Sequence, residues 1–155
     1  MLKKYLYLLG LVMLTIITLP LEASDNFVPT AFEQSVLKSA PNLNPEVLNQ
    51  ALLAYESAKR QGLWVPKSYL TIIDYSLPST AKRFWLIDLK QRRSLYNLLV
   101  THGSRSGGLY ARSFSDLIGS NKSSNGLFMT GESYDGNQGY SMVLKGLEPG
   151  FNANA

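Results

Sequence analysis

His102, the one histidine in the chain, lies in Val100-Thr101-His102-Gly103, where an apolar run gives way to Ser104-Arg105-Ser106-Gly107-Gly108. An imidazole at the end of a strand and beside glycines has the rigid support and open approach that a general base or a metal ligand needs. A lone histidine cannot build a transition-metal site, and with no cysteine in the sequence there are no thiolates to help it. The competing role is structural, with the ring nitrogens hydrogen-bonded near the loop.

Carboxylates fall at Asp74 and Asp88 near strand ends, and at Glu132 and Asp135 around a turn. A pair of them hydrolyses glycosides only at a defined separation, and carboxylates in such places ordinarily bind water or backbone amides. Ser35-Val36-Leu37-Lys38 and Ser79-Thr80-Ala81-Lys82 both carry Ser-x-x-Lys spacing, and Ser123-Ser124-Asn125 has the form of a second serine-acyltransferase box. The Lys-Thr-Gly box is missing and the chain is too short for that domain, so these matches are taken as chance. Lys90-Gln91-Arg92-Arg93 reads as a solvated turn rather than a contact for an anionic polymer.

The elements that must position these residues change in character along the chain. Thr30 and Glu33 have capping-box spacing, followed by Phe32, Val36 and Leu37 on one helical face. Asn44-Pro45 opens a second helix, in which Val47, Leu48, Ala51, Leu52, Tyr55 and Ala58 recur at helical spacing up to Gly62. From Leu63 the period becomes that of strands: Tyr69–Tyr75, Arg83–Asp88 and Leu95–Thr101. Ser123–Gly146 reads as two further strands, Gly126–Tyr134 and Tyr140–Leu144, around Asp135-Gly136-Asn137-Gln138-Gly139. This hairpin is expected to organise the rest. The fold class expected is mainly β with two N-terminal helices.

The 155 residues suit one globular domain. A net charge of +4 with both signs dispersed gives no basic stripe, so no nucleic-acid partner is expected. Met1–Ala23 reads as a secretory signal peptide, with Lys3 and Lys4 before an uncharged run, Tyr5–Leu19, and Ala23 at the cleavage point. That run is shorter than the roughly 20 residues a spanning helix needs, so the membrane is met only before cleavage. The expected location is periplasmic or secreted, in a bacterial envelope. The expected organisation is signal peptide 1–23, helical segment 24–66 and a β domain over 67–155.

The strand series Leu70–Ser79, Arg83–Leu89 and Val100–Gly103 with Ser106-Gly107 resembles a murein L,D-transpeptidase catalytic domain. Phe114-Ser115, Ser124-Asn125-Gly126 and Gly146-Leu147-Glu148-Pro149-Gly150-Phe151-Asn152 match the variant that carries Phe-Ser, Ser-x-Gly and Gly-Leu-x-x-Gly-Phe-Asn. The resemblance implies a sandwich- or barrel-like β domain acting on peptidoglycan stem peptides without a cofactor. In the family a cysteine thiolate, with a histidine as its base, attacks the donor stem peptide, and the acyl group passes to an acceptor amine as a 3→3 cross-link. The family places its catalytic His-Gly and Gly-Cys-Pro segments beyond the Gly-Phe-Asn run. His102 matches an earlier His-Gly, so no residue here receives a catalytic role. The resemblance implies the front part of such a domain, truncated and inactive as it stands, with His102, Gly103, Ser106, Gly107, Ser124 and Gly126 as substrate-binding positions. The alternative is a non-catalytic secreted protein that binds peptidoglycan or another envelope component through the Gly103–Gly108 loop.

Overall fold

Thr30 caps the first described helix with both halves of the expected box. Its hydroxyl accepts from the Glu33 amide at 3.3 Å, and the Glu33 carboxylate accepts from the Thr30 amide at 2.7 Å. The structure, a computed structural model, describes residues 27–63, 65, 67–137 and 139–154. The signal peptide expected over Met1–Ala23 lies outside the described residues. Among the described residues, no helix is long and apolar enough to cross a membrane.

Helix α1 runs Ala31–Leu37 and α2 runs Pro45–Arg60, the latter capped by the Asn44 side chain with Pro45 at its first position. Pro45 loses nothing there, because the first amides of a helix have no intrahelical acceptor. Gly62 follows with φ +91°, the left-handed ending expected of it.

Strands β1 (Tyr69–Ile73), β2 (Phe84–Asp88) and β3 (Arg93–Leu98) form an antiparallel sheet in sequence order. Alternation sorts its two faces. Leu70 and Ile72 of β1 pair with Ile87 and Trp85 of β2, and all four are buried. They meet Val36, Ala40, Leu43 and Leu48 from the helical segment, so helices and sheet share one core. Ser39 reinforces the join by accepting from the Ser94 amide of β3 at 2.7 Å. The opposite face, with Tyr69, Ile73, Tyr96 and Leu98, is open.

The second sheet is the hairpin β4 (Phe128–Gly136) and β5 (Gly139–Gly146), with a register shift between Thr130 and Ser133. The hairpin exists where the sequence places it, but its part in the fold differs from the expectation. Tyr140, Met142, Val143 and Leu144 are all about half exposed or more, and the apolar core lies between the helices and β1–β3 instead. Period-two patterning reports a strand, but it cannot report which face finds a cover. Two antiparallel sheets with two helices nonetheless make the mainly β fold that the sequence implies.

Candidate functional site

Arg83, just ahead of β2, is fully buried and determines the site around His102. Its Nε and Nη2 donate to the Val100 carbonyl at 3.2 and 3.0 Å, and Nη1 donates to the Leu77 carbonyl at 2.8 Å. The guanidinium lies 5.1 Å from the Tyr75 ring centroid, and Tyr75 in turn packs on Phe114. Among the described residues the one ion pair is Lys59–Glu56, so this buried cation is held by carbonyls, an imidazole and a π face.

Arg83 Nη2 also lies 2.8 Å from His102 Nδ1. A guanidinium has donors and no acceptor, so Nδ1 must present its lone pair. The remaining nitrogen, Nε2, then carries the proton and donates to the Gly107 carbonyl at 3.2 Å. Both ring nitrogens are therefore engaged within the protein, as in the competing structural role for His102. Among the described residues neither is paired with a hydroxyl that it would activate.

The loop beyond His102 closes on itself. Ser106 is 1 % exposed; its amide donates to the Gly103 carbonyl at 2.8 Å, and its carbonyl accepts from Arg112 and Ser113. Its hydroxyl accepts from the Ser123 amide at 2.8 Å, while the Ser123 hydroxyl accepts from the Gly103 amide at 2.9 Å. The Arg105 amide adds a bond to the Asn121 carbonyl at 3.0 Å. The segment read as a loop is thus a serine-stapled double turn, because small hydroxyl side chains replace the ladder that its backbone lacks. Arg105, Arg112 and Tyr110 stand exposed on its rim, with Lys122 half-buried.

Of the six substrate-binding positions expected, His102, Gly103, Ser106 and Gly107 come together here. Ser124 adjoins them, and its hydroxyl is buried with no hydrogen-bond partner among the described residues. Gly126 belongs to a different cluster at the base of the hairpin. There Asn152, fully buried, donates from Nδ2 to the Asn125 and Leu127 carbonyls at 3.0 and 3.2 Å and to Glu148 Oε2 at 3.1 Å. Its Oδ1 accepts from the Glu148 amide at 2.9 Å, and Glu148 Oε2 accepts from the Leu127 amide at 2.7 Å. A Cβ on Gly126 would overlap Glu148 Oε2 and stand 2.5 Å from Asn152 Nδ2. The Ser-Asn-Gly and Gly-Leu-x-x-Gly-Phe-Asn segments are therefore two halves of one clasp.

The carboxylates do not pair. Asp74 follows β1 and accepts from the Ser76 amide and hydroxyl, whereas Asp88 pairs with Tyr69 at the other end of the same ladder. Glu132 and Asp135 are exposed on the hairpin. Among the described residues no group of three or more His, Asp or Glu side chains could hold a metal ion.

Sequence reasoning missed Arg83, Ser123 and Asn152. All three stand inside segments singled out in the sequence, Asn152 in the Gly-Phe-Asn run, Arg83 at the head of a strand and Ser123 in Ser123-Ser124-Asn125, but nothing local distinguishes them from their neighbours. A family model described as L,D-transpeptidase catalytic domain matches residues 39–155, more than half of the chain, beginning within the helical segment. No curated protein and no solved structure matches.

Proposed function

The chain belongs to the L,D-transpeptidase catalytic-domain family, and from that premise we propose that its residues bind peptidoglycan stem peptides without themselves performing the transfer. The observation that carries this reading is the serine-stapled turn from His102 to Ser123, with Arg105, Arg112 and Lys122 on its rim. A stem peptide is a short chain rich in carboxylates. A rigid turn edged with cations and the Tyr110 ring binds such a chain at small ordering cost. Within the loop His102, Gly103, Ser106 and Gly107 hold the shape, and Ser124 and Gly126 continue it toward the hairpin.

The transfer itself needs a nucleophile that leaves as well as attacks, which a thiolate supplies near neutral pH. These residues contain no cysteine, and the imidazole of His102 is committed to Arg83 and Gly107. The chain by itself therefore forms no 3→3 cross-link. Residues 1–23 direct it across the cytoplasmic membrane, where its substrate lies, and the domain over 67–155 carries the binding surface.

Sedimentation with purified murein tests the reading. The full chain is expected to co-sediment, and charge reversal at Arg105 and Arg112 to release it. Equal recovery with and without murein would overturn the binding. Incubation with tetrapeptide muropeptides should leave them monomeric, and a 3→3 dimer lost on His102→Ala would overturn the assignment of His102 as structural.

A further inference from the structure

Asn125-Gly126 is the one asparagine–glycine step in the chain. It lies in the loop before β4, at the clasp, and its reacting groups are free while their neighbours are pinned. Gly126 is exposed with φ +104°, and its amide meets no acceptor among the described residues. The Asn125 carboxamide likewise makes no hydrogen bond among the described residues and is open to water, whereas the Asn125 carbonyl accepts from Asn152 Nδ2 at 3.0 Å. Every other asparagine is followed by a residue whose side chain shields the next backbone nitrogen. Asn97 is further held by donating to the Lys82 and Phe84 carbonyls at 3.0 and 3.2 Å.

We propose that Asn125 is a self-modification site, at which the Gly126 nitrogen displaces the carboxamide and converts the step to isoaspartate. The Gly126 amide gives its proton to solvent, and its nitrogen bonds to Asn125 Cγ. The Cγ–Nδ2 bond breaks and Nδ2 leaves as ammonia, closing a five-membered imide. Water then opens the ring, at the main-chain carbonyl to give isoaspartate or at Cγ to give aspartate. One water enters, one ammonia leaves and nothing is oxidised. Attack from the next residue is intramolecular, and glycine leaves its nitrogen unobstructed. The consequence falls on the clasp. Isoaspartate lengthens the main chain by one carbon just before Gly126 and sets a new carboxylate near Glu148. On its Cβ side Gly126 has no space, since a carbon there would stand 2.5 Å from Asn152 Nδ2. Leu127 is fixed at its amide by Glu148 and at its carbonyl by Asn152. The converted chain therefore loses the clasp and keeps the helix–sheet core. The reaction needs no substrate, so it stands apart from the peptidoglycan reading.

Ageing of the full chain in mildly alkaline, ammonia-free buffer tests this, with peptide mapping by mass spectrometry at intervals. Asn125 is expected to convert about tenfold faster, or more, than any other asparagine. Isoaspartate should be the major product. Asn125→Gln keeps a carboxamide but would have to close a six-membered ring, and should stop conversion at this position. In the aged wild type, the Leu147 amide should lose exchange protection in proportion to the converted fraction, while amides of β1–β3 keep theirs. The Asn125→Gln chain aged alongside should keep its Leu147 protection. Conversion at Asn125 no faster than elsewhere, aspartate without isoaspartate, or a converted chain with full protection at Leu147 would each overturn the proposal.

Discussion

Replacing Asn152 by Asp changes one atom group and almost no volume, yet it should disturb the clasp more than truncation to Ala. Nδ2 faces three acceptors, the Asn125 and Leu127 carbonyls and Glu148 Oε2. Asn152→Ala removes those donations and leaves the acceptors to find water, at about 1 kcal/mol for each neutral bond and about 2 kcal/mol for the charged one, so roughly 3–4 kcal/mol in all. Asn152→Asp loses the same bonds and places a fourth acceptor among the three. Two carboxylates 3.1 Å apart, the present distance to Glu148, repel by about 5 kcal/mol at an effective dielectric of 20. Rotation of Glu148, which is exposed, or uptake of a proton relieves part of that, leaving Asp about 2 kcal/mol worse than Ala. Amide hydrogen exchange reads the difference locally. The Leu147 amide, bonded to the Leu127 carbonyl at 3.0 Å, should lose protection in the order wild type, Ala, Asp. Amides of β1–β3 should keep theirs, because the helix–sheet core does not include the clasp. A Leu147 amide better protected in the Asp variant than in the Ala variant would refute the donor assignment of Asn152.

Arg83→Met should cost about 3 kcal/mol or more by stranding the Leu77 and Val100 carbonyls, measured by urea denaturation, and ¹⁵N NMR should show His102 no longer held as the Nε2–H tautomer. Gly146→Ala should destabilise the hairpin by about 1–3 kcal/mol, since a Cβ there overlaps the Asn152 carbonyl; unchanged exchange at Leu147 would contradict it. Mass spectrometry of the exported protein should find Ser24 at its N-terminus, whereas full-length chain in the membrane fraction would overturn the signal-peptide reading. Light scattering should show concentration-dependent association of the chain, reduced by Val143→Thr with Leu144→Thr, because both side chains stand about half exposed on the two-stranded hairpin.

What the sequence made legible was whatever is local in the chain. The Thr30–Glu33 box, the Asn44-Pro45 start, Gly62 and the reversal after Asp135 are each read within a few residues, and each forms as expected. Strand limits moved by two or three residues where hydrogen bonding and apolar patterning part company. β3 begins at Arg93 and stops at Leu98, and the apolar Leu99 and Val100 beyond it lie outside the ladder. The site was legible in part, since His102 and Gly103 were singled out but the groups that organise them were not. Arg83 reads as one more surface cation on a strand edge. Only the fold shows that its acceptors, 6, 17 and 19 residues away, converge on it. The serine staple is hidden for the same reason, because a hydroxyl that satisfies an amide 17 or 20 residues away leaves no period in the sequence.

The reach of Arg83 also has a consequence for the order in which the chain is expected to assemble. β1, β2 and β3 are neighbours both in sequence and in the sheet, so their pairing closes short segments at small entropic cost. Val100 and His102 follow β3, so the pairing of β3 with β2 brings them to the guanidinium. The His102 turn is therefore expected to be sealed after the sheet and to open before it on unfolding. Substitutions at Arg83 will speed unfolding while leaving the folding rate nearly unchanged, the pattern of a contact made after the transition state. The buried cation governs how long the folded chain persists more than how quickly it forms.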